Sequence, residues 1–555
     1  MCGICGIKSF NQLSENKIKS LLLNLKHRGP DNTDYSKFDN FYLGSTRLKI
    51  IDDFDRSNMP MEYKHFSISY NGEVYNYKEL RKELIDQGYS FKTNSDTEVI
   101  LKLFAHYGIE SFKKLDGMFS ICIYDSIKKK IYLTRDIFGI KPLYYFANRD
   151  TLIFSSELEA IIGCYPKLKE YSTEALKTYL LKGSILEPMT KYREIFTVMP
   201  GQILIVSNDY KIKKLFFETI RENIIKSENS SESLNEDDLF EEVKKQIELN
   251  SNSDTEKSLM LSSGIDSLAI KLILDKIKTV SLCYENYKNT EIDEIFKLKK
   301  KLNITPDYSL YVKENEAKKN TENISNFTDS FSIDGSQYYF ITKVMKENNI
   351  KMTLTGIGAD EMFNSYPTSK YLPMFLKFNS FLPNIKKKIN FKYSYKIEKT
   401  LRLLFNCKNS HESYLIFREI FSEDEIKNIT LKNFDLSKVT FDLKNNIHQY
   451  VDGISLVENQ IKSLELNIYL RDQVLKDVDY ASMQNSIEAR VPYLSKKILK
   501  ISSNKNVAKN ISKKFLLKRF NLKKDYIKTY KKVGFMTLNS ITKQDKIKMI
   551  EYLNF

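Results

Sequence analysis

The chain has 555 residues, 42% of them hydrophobic, with 87 Lys and Arg against 71 Asp and Glu and a formal net charge of +16. That length exceeds what one hydrophobic core supports, so two or three domains are expected. No apolar run approaches the ~20 residues of a membrane helix, no basic segment followed by an apolar one opens the chain, and 6 scattered cysteines form no disulfide framework, so a cytoplasmic enzyme without a membrane partner is expected. Lysine is spread along the chain with no nucleic-acid-binding motif beside it, so the excess reads as biased usage and solvated faces, with no nucleic-acid partner.

In chain order the first chemical feature is Cys2. Removal of Met1 would leave a thiol and a free α-amino group on one residue, a nucleophile with its own base, and Gly3 leaves room beside it. Cys2 and Cys5 also form a Cys-x-x-Cys pair, but no second ligand pair follows at zinc spacing. His27-Arg28-Gly29-Pro30-Asp31 reads as a rigid turn, and Ser45-Thr46-Arg47-Leu48-Lys49-Ile50-Ile51 as a strand carrying a cation. Asn71-Gly72-Glu73 and Ser95-Asp96-Thr97-Glu98 follow. Together these residue types supply what hydrolysis of a glutamine side chain requires. An Arg can pair with the α-carboxylate, an acid can hold the α-ammonium, and an Asn amide with a Gly N–H can stabilise the oxyanion.

Gln202 to Val206 reads as a strand, residues 226–238 as a polar linker, and Leu239 to Leu249 has helical spacing. The apolar run Ser258-Leu259-Met260-Leu261 then opens into Ser262-Ser263-Gly264-Ile265-Asp266-Ser267, a small-residue loop before a helix, suited to a phosphate chain. Met352 to Leu354 likewise runs into Thr355-Gly356-Ile357-Gly358-Ala359-Asp360-Glu361, where acids at a strand end can bind Mg²⁺ that holds ATP phosphates. Residues 370–465 read as a helical cover on the second domain.

These motifs resemble the glutamine-hydrolysing asparagine synthase family over nearly the whole chain. Leu115-Asp116-Gly117-Met118-Phe119, Arg135 to Tyr145, Asp472 to Met483, Ser486 to Leu494 and Lys531-Lys532-Val533-Gly534-Phe535 add to the match. The resemblance implies a class II glutaminase domain over 1–205, a connecting strand and linker over 206–238, and an ATP pyrophosphatase domain over 239–555. The implied fold is an αββα N-terminal nucleophile hydrolase sandwich followed by a parallel-sheet α/β domain.

It also implies site residues. Cys2 would be the nucleophile and Asn71 with Gly72 the oxyanion hole. Arg47, Leu48, Ile50, Ile51, Glu73 and Asp96 would join those two in holding L-glutamine. Leu261, Ser262, Gly264, Asp266, Ser267, Leu282, Thr355 and Gly356 would bind ATP. Asp266 and Asp360 would hold Mg²⁺ through pyrophosphate, Glu361 and Glu488 would lie near the acyl-adenylate, and Lys532 would be the catalytic cation. The chain departs from the family at Ser263, where Gly is usual, at Ile357, where Glu is usual, and at Ser495, where Asp often stands. Amide synthesis from aspartate is expected first. An amidotransferase for another carboxylate, a sugar acid or natural-product precursor, is the alternative that Ile357 raises, and a scaffold with an inactive synthetase site is a third. A homodimer is the assembly to test.

Overall fold

The computed structural model describes residues 2–10, 14–284, 302, 304–313, 335–379, 395–405, 409–421, 426, 443 and 445–520. Twelve strands come first: β1 (Cys2–Ser9), β2 (Asn32–Phe38), β3 (Phe41–Arg47), β4 (Met61–Tyr63), β5 (Phe66–Val74), β6 (Gly117–Asp125), β7 (Lys130–Arg135), β8 (Tyr144–Ala147), β9 (Thr151–Ser155), β10 (Phe196–Thr197), β11 (Gln202–Val206) and β12 (Ile212–Phe216). They form two six-stranded antiparallel sheets in the orders β10-β8-β9-β1-β3-β2 and β12-β11-β7-β6-β5-β4. Strand β12, assigned from sequence to the connection beyond residue 205, pairs with β11 from Gln202↔Phe216 to Val206↔Ile212 and completes the second sheet.

Why the sheets stack is legible in their side chains. Ile4, Phe41 and Leu43 from one sheet meet Cys122, Tyr124 and Leu133 from the other in a closed apolar layer. The outer face of the first sheet is covered by the helices Glu15–Leu25 and Leu158–Cys164, and that of the second by Tyr77–Asp86 and Asp96–Tyr107, which gives the αββα order. Residues at β1 positions three apart face opposite sides. Cys2 accordingly lies in one apolar cluster and Cys5 in another, so the Cys-x-x-Cys pair cannot chelate.

The stretch read as a linker is more ordered than its polarity suggests. Asn235 caps the helix Glu236–Asn250, accepting from the N–H groups of Asp237 and Asp238, and three acids fill the first turn, where the helix dipole favours them. That helix leads to five parallel strands, β13 (Lys257–Met260), β14 (Lys278–Tyr284), β15 (Tyr308–Val312), β16 (Met352–Leu354) and β17 (Glu488–Arg490), in the order β15-β14-β13-β16-β17. The two predicted loops follow the adjacent strands β13 and β16, whose C-terminal ends lie side by side. In the region read as a cover, the described helices Pro367–Asn379, Ser410–Phe417 and Val457–Leu464 share an apolar cluster with the helix Thr173–Lys182. This cover therefore grips both halves of the chain.

Charges cross between the halves at the centre. Arg28, with no solvent exposure, donates to Glu157 at 3.0 Å and to Asp479 at 2.7 Å, and Lys141 reaches Asp479 at 3.3 Å. Removing one member of such a buried set strands its partners without water or counter-charge, at a cost of about 3–5 kcal/mol. Asp479→Ala should therefore lower the urea midpoint strongly, whereas Lys19→Ala, which breaks the solvent-exposed pair with Glu15, should leave it unchanged within error.

Candidate active sites

The first site forms where β1, β3 and β5 meet. Cys2 sits opposite Arg47 in the β1–β3 register, and its backbone nitrogen lies 3.1 Å from Asn71 Oδ1 on β5. Burial pushes the Cys2 thiol up, opposed by Arg47 and by the Leu48 backbone N–H that bonds it. Once its oxygen is used in this way, the Asn71 amide nitrogen is left buried with no hydrogen-bond partner among the described residues. A buried unmet donor beside a nucleophile is costly to the folded chain, and it is what a developing oxyanion needs. Gly72 follows at φ 151°, where a Cβ would lie 2.0 Å from the Met118 carbonyl oxygen, so β5 and β6 close only around glycine.

Two acids complete this pocket. Asp96 stands in the first turn of its helix, and its Oδ2 accepts from the Tyr70 hydroxyl at 2.8 Å and the Val74 N–H at 3.1 Å. Glu73 is buried and accepts from Arg490 at 3.1 Å. Burial pushes both carboxyls above their ordinary values, against the pull of Arg490 on Glu73 and of the Val74 N–H and Tyr70 hydroxyl on Asp96. A further cation is thus favoured between them, and an α-ammonium has that charge. Arg47 is differently engaged from the free carboxylate partner that its sequence position suggests. Its guanidinium donates to the carbonyls of Phe54 at 3.0 Å and Ile51 at 3.3 Å, to that of Asp52, and to Asn58 Oδ1 at 2.8 Å. It therefore shapes the loop that carries Ile50 and Ile51, and an incoming carboxylate must share or displace these bonds.

The second site lies at the ends of β13 and β16. Gly264 donates to Ser262 Oγ at 3.1 Å, and Ser267 Oγ contacts the Ser262 hydroxyl at 3.0 Å, which closes the loop on itself before the helix Ile265–Ile273. Ser263 is buried in this turn and has no left-handed backbone, so a serine is accommodated where the family has glycine. Leu261, just past the end of β13, and Leu282 on the neighbouring β14 are both buried. Gly356 brings the two motifs together: a Cβ there would stand 2.9 Å from the Asp266 Cβ. Thr355, beside it, donates to the Arg490 carbonyl through its N–H at 3.0 Å.

Sequence reasoning missed Lys513. Its ammonium lies 2.9 Å from Asp266 Oδ2 and 2.6 Å from Asp360 Oδ1, and against the cost of burial these carboxylates hold it above its ordinary pKa. One lysine among 87 cationic side chains carries no distinctive sequence signal, and the apolar Phe515-Leu516-Leu517 behind it is the only hint of its burial. Lys532, assigned the catalytic role from sequence, lies outside the described residues.

Asp266 and Asp360 are hard oxygen donors of the kind Mg²⁺ takes, and because Lys513 bonds both of them, a metal held there would have to share them with the ammonium or displace it. Among the described residues no group of three or more His, Cys, Asp or Glu forms a metal site, so phosphate oxygens would have to complete the coordination. Glu361 accepts from the Tyr366 hydroxyl at 2.8 Å, and burial together with Asp360 pushes it up to about 7. Glu488, grouped from sequence with Glu361, instead bonds Arg490 on the side of the first pocket. Ile357 is half-buried against the apolar core.

Two family models match the chain. The model of the glutamine amidotransferase domain matches residues 1–217, and that of asparagine synthase residues 238–537. Asparagine synthetase (glutamine-hydrolyzing) 1 of Bacillus subtilis is 29% identical over 561 residues, 96% of this chain and 87% of that protein. A putative asparagine synthetase (glutamine-hydrolyzing) 2 of Methanocaldococcus jannaschii is 28% identical over 535 residues, 87% of this chain and 98% of that protein. Among solved structures, the B. subtilis glutamine phosphoribosylpyrophosphate amidotransferase complexed with ADP and GMP aligns at a TM-score of 0.32 and 15% identity, over 64% of this chain and 81% of that one.

Two outcomes follow from the first pocket. Asn71→Ala should lower the kcat of glutamine hydrolysis about 10²–10³-fold with little change in KM. Because the Glu73 and Asp96 carboxyls are raised, protonation as pH falls removes the charge that would hold an ammonium, so KM for glutamine should rise at pH values above the ordinary carboxylate range. Initial rates of glutamate formation measured across pH check both.

Proposed function

The chain belongs to the asparagine synthase family, ligases that form C–N bonds with glutamine as amido donor, and we propose that it converts aspartate to asparagine with ammonia released at Cys2. The observation that carries this reading is the pairing in one molecule of a buried Cys2 beside the unmet Asn71 amide with the Asp266–Lys513–Asp360 cluster at the strand ends.

In the first half-reaction the Cys2 sulfur attacks the side-chain amide carbon of glutamine, and the α-amino group freed by loss of Met1 takes the thiol proton. Asn71 Nδ2 and the Gly72 N–H stabilise the oxyanion, Glu73 and Asp96 hold the α-ammonium, and Arg47 meets the α-carboxylate. The amine returns its proton to the leaving nitrogen, ammonia departs, and water then cleaves the thioester to glutamate. In the second half-reaction a carboxylate oxygen of the substrate attacks the α-phosphorus of ATP and expels pyrophosphate, giving an acyl-AMP. Lys513 neutralises charge on the departing phosphates, and the loops at Ser262–Ser267 and Thr355–Gly356 orient the nucleotide. Mg²⁺ held by Asp266 and Asp360 would supply further charge neutralisation on the pyrophosphate. Ammonia then attacks the acyl carbon and AMP leaves.

Free ammonia is mostly protonated at neutral pH, so it must travel out of reach of water. Between the two halves lies a cavity of about 20 Å³ lined by Arg28, Tyr144, Ser156, Glu157, Asp479 and Tyr480, room for one water-sized molecule. Its position, one side chain from Cys2 through the Arg28 contact with the Cys2 carbonyl, supports an internal passage.

One observation favours a second reading. Ile357 cannot accept a proton at the position where the family places a glutamate, and this supports a carboxylate other than aspartate. Pyrophosphate release with ATP, Mg²⁺ and glutamine, measured over a panel of acids with mass spectrometry of the product, separates the two. Aspartate-dependent release with asparagine formed is the expected result, and release with another acid only would transfer the proposal to that substrate. Cys2→Ala should abolish glutamine hydrolysis while retaining synthesis from added ammonium, and Lys513→Ala should retain hydrolysis and lose product. Loss of both activities in each variant would contradict this division of labour.

A further inference from the structure

The ion pair between Glu73 and Arg490 crosses from one catalytic half of the chain to the other. Arg490 is fully buried on β17, and each of its three guanidinium nitrogens has a partner. Nε bonds Glu488, Nη1 donates to the carbonyls of Asn250 at 2.9 Å and Asn252 at 2.6 Å, and Nη2 reaches Glu73 Oε2 at 3.1 Å. The Asn250 carbonyl ends the helix before β13 and the Asn252 carbonyl lies two residues past it, so the guanidinium is held by the framework of the nucleotide domain as well as by Glu73. Its backbone carbonyl meanwhile accepts from the Thr355 N–H at 3.0 Å and the Thr355 hydroxyl at 3.3 Å. One residue thus touches a glutamine-pocket acid with its side chain and the nucleotide strand with its main chain.

We infer that Arg490, a residue of the synthetase half, is the positioning residue for glutamine, fixing the Glu73 carboxylate where the substrate's α-ammonium must meet it. The inference rests on the proposed role of Glu73 in glutamine binding. Without the guanidinium, Glu73 is left in a closed apolar setting beside Asp96 and Glu488 with its main counter-charge gone, so it turns away or takes a proton. Affinity for an ammonium then falls, while Cys2, Asn71 and Gly72 keep their places on β1 and β5. Main-chain bonds from Thr355 to residue 490 survive a side-chain substitution, so the nucleotide strand stays paired. A lysine cannot reproduce the fork, because it offers one point charge in place of a planar set of donors.

The test compares Glu73→Gln, Arg490→Met and Arg490→Lys in the full chain. Glutamate formation without ATP gives KM and kcat for glutamine, ammonium-driven pyrophosphate release reports on the other site, and thermal unfolding reports on the fold. Arg490→Met should raise KM for glutamine about tenfold or more with kcat within about threefold, and Arg490→Lys should recover part of that loss. Ammonium-driven release should change far less than KM does. If Glu73→Gln raises KM and both Arg490 variants leave it unchanged, the positioning role is wrong while the role of Glu73 stands. If Glu73→Gln itself leaves KM unchanged, the underlying reading of Glu73 fails. A parallel fall of kcat, ammonium-driven release and melting temperature in both Arg490 variants would mean a structural role only, and would overturn the inference.

Discussion

The buried charges between the two halves of the chain constrain everything else in the structure. Arg28, Lys141 and Arg490 have almost no solvent exposure, and each finds its counter-charge across the divide, in Asp479 or in Glu73. Such pairs add little net stability over well-packed apolar residues, since desolvation offsets most of the Coulombic gain. Their effect is on geometry. A shift of a few ångströms between the halves would leave several charges buried and unpaired, so the relative placement of the sites is specified more sharply than apolar packing alone could do.

Each site shows the same economy of means. At Cys2, the strand register places the sulfur, the close approach of β5 to β6 requires Gly72, and the use of the Asn71 oxygen by the Cys2 amide leaves the Asn71 nitrogen unbonded among the described residues. At the nucleotide end, Gly356 lets one loop touch the other, and the two acids that result are neutralised by Lys513. Because these groups are oriented before any substrate arrives, little reorganisation remains for the reaction itself. Raised carboxyls at Glu73 and Asp96, and an amide donor without a partner, mark where the fold sacrifices stability for chemistry.

Much of this was legible in the sequence because short motifs carry their own geometry. Asn71-Gly72 and the Ser262 to Ser267 loop need particular residue types at fixed offsets, and the structure brings them to strand ends. Polar appearance misled at residues 236–238, where acids at a helix start resemble a linker. What could not be read was whatever depends on residues distant in the chain. Lys513 is one lysine among many until Asp266 and Asp360 surround it, and nothing in the local sequence foretells that Glu488 bonds the Arg490 guanidinium. The loop carbonyls around Arg47 were invisible for the same reason, since no spacing rule foretells a guanidinium wrapped by its own downstream backbone.

Passage of nitrogen from Cys2 to the acyl-adenylate inside the molecule, as proposed above, is what would join the two sites into one enzyme. The direct test supplies glutamine labelled with ¹⁵N in its side-chain amide, ATP, Mg²⁺ and the carboxylate substrate in the presence of excess unlabelled ammonium, and measures the label in the amide product by mass spectrometry. Product that keeps most of the ¹⁵N despite the unlabelled pool is the expected result. Product whose label matches the composition of bulk ammonium would contradict it.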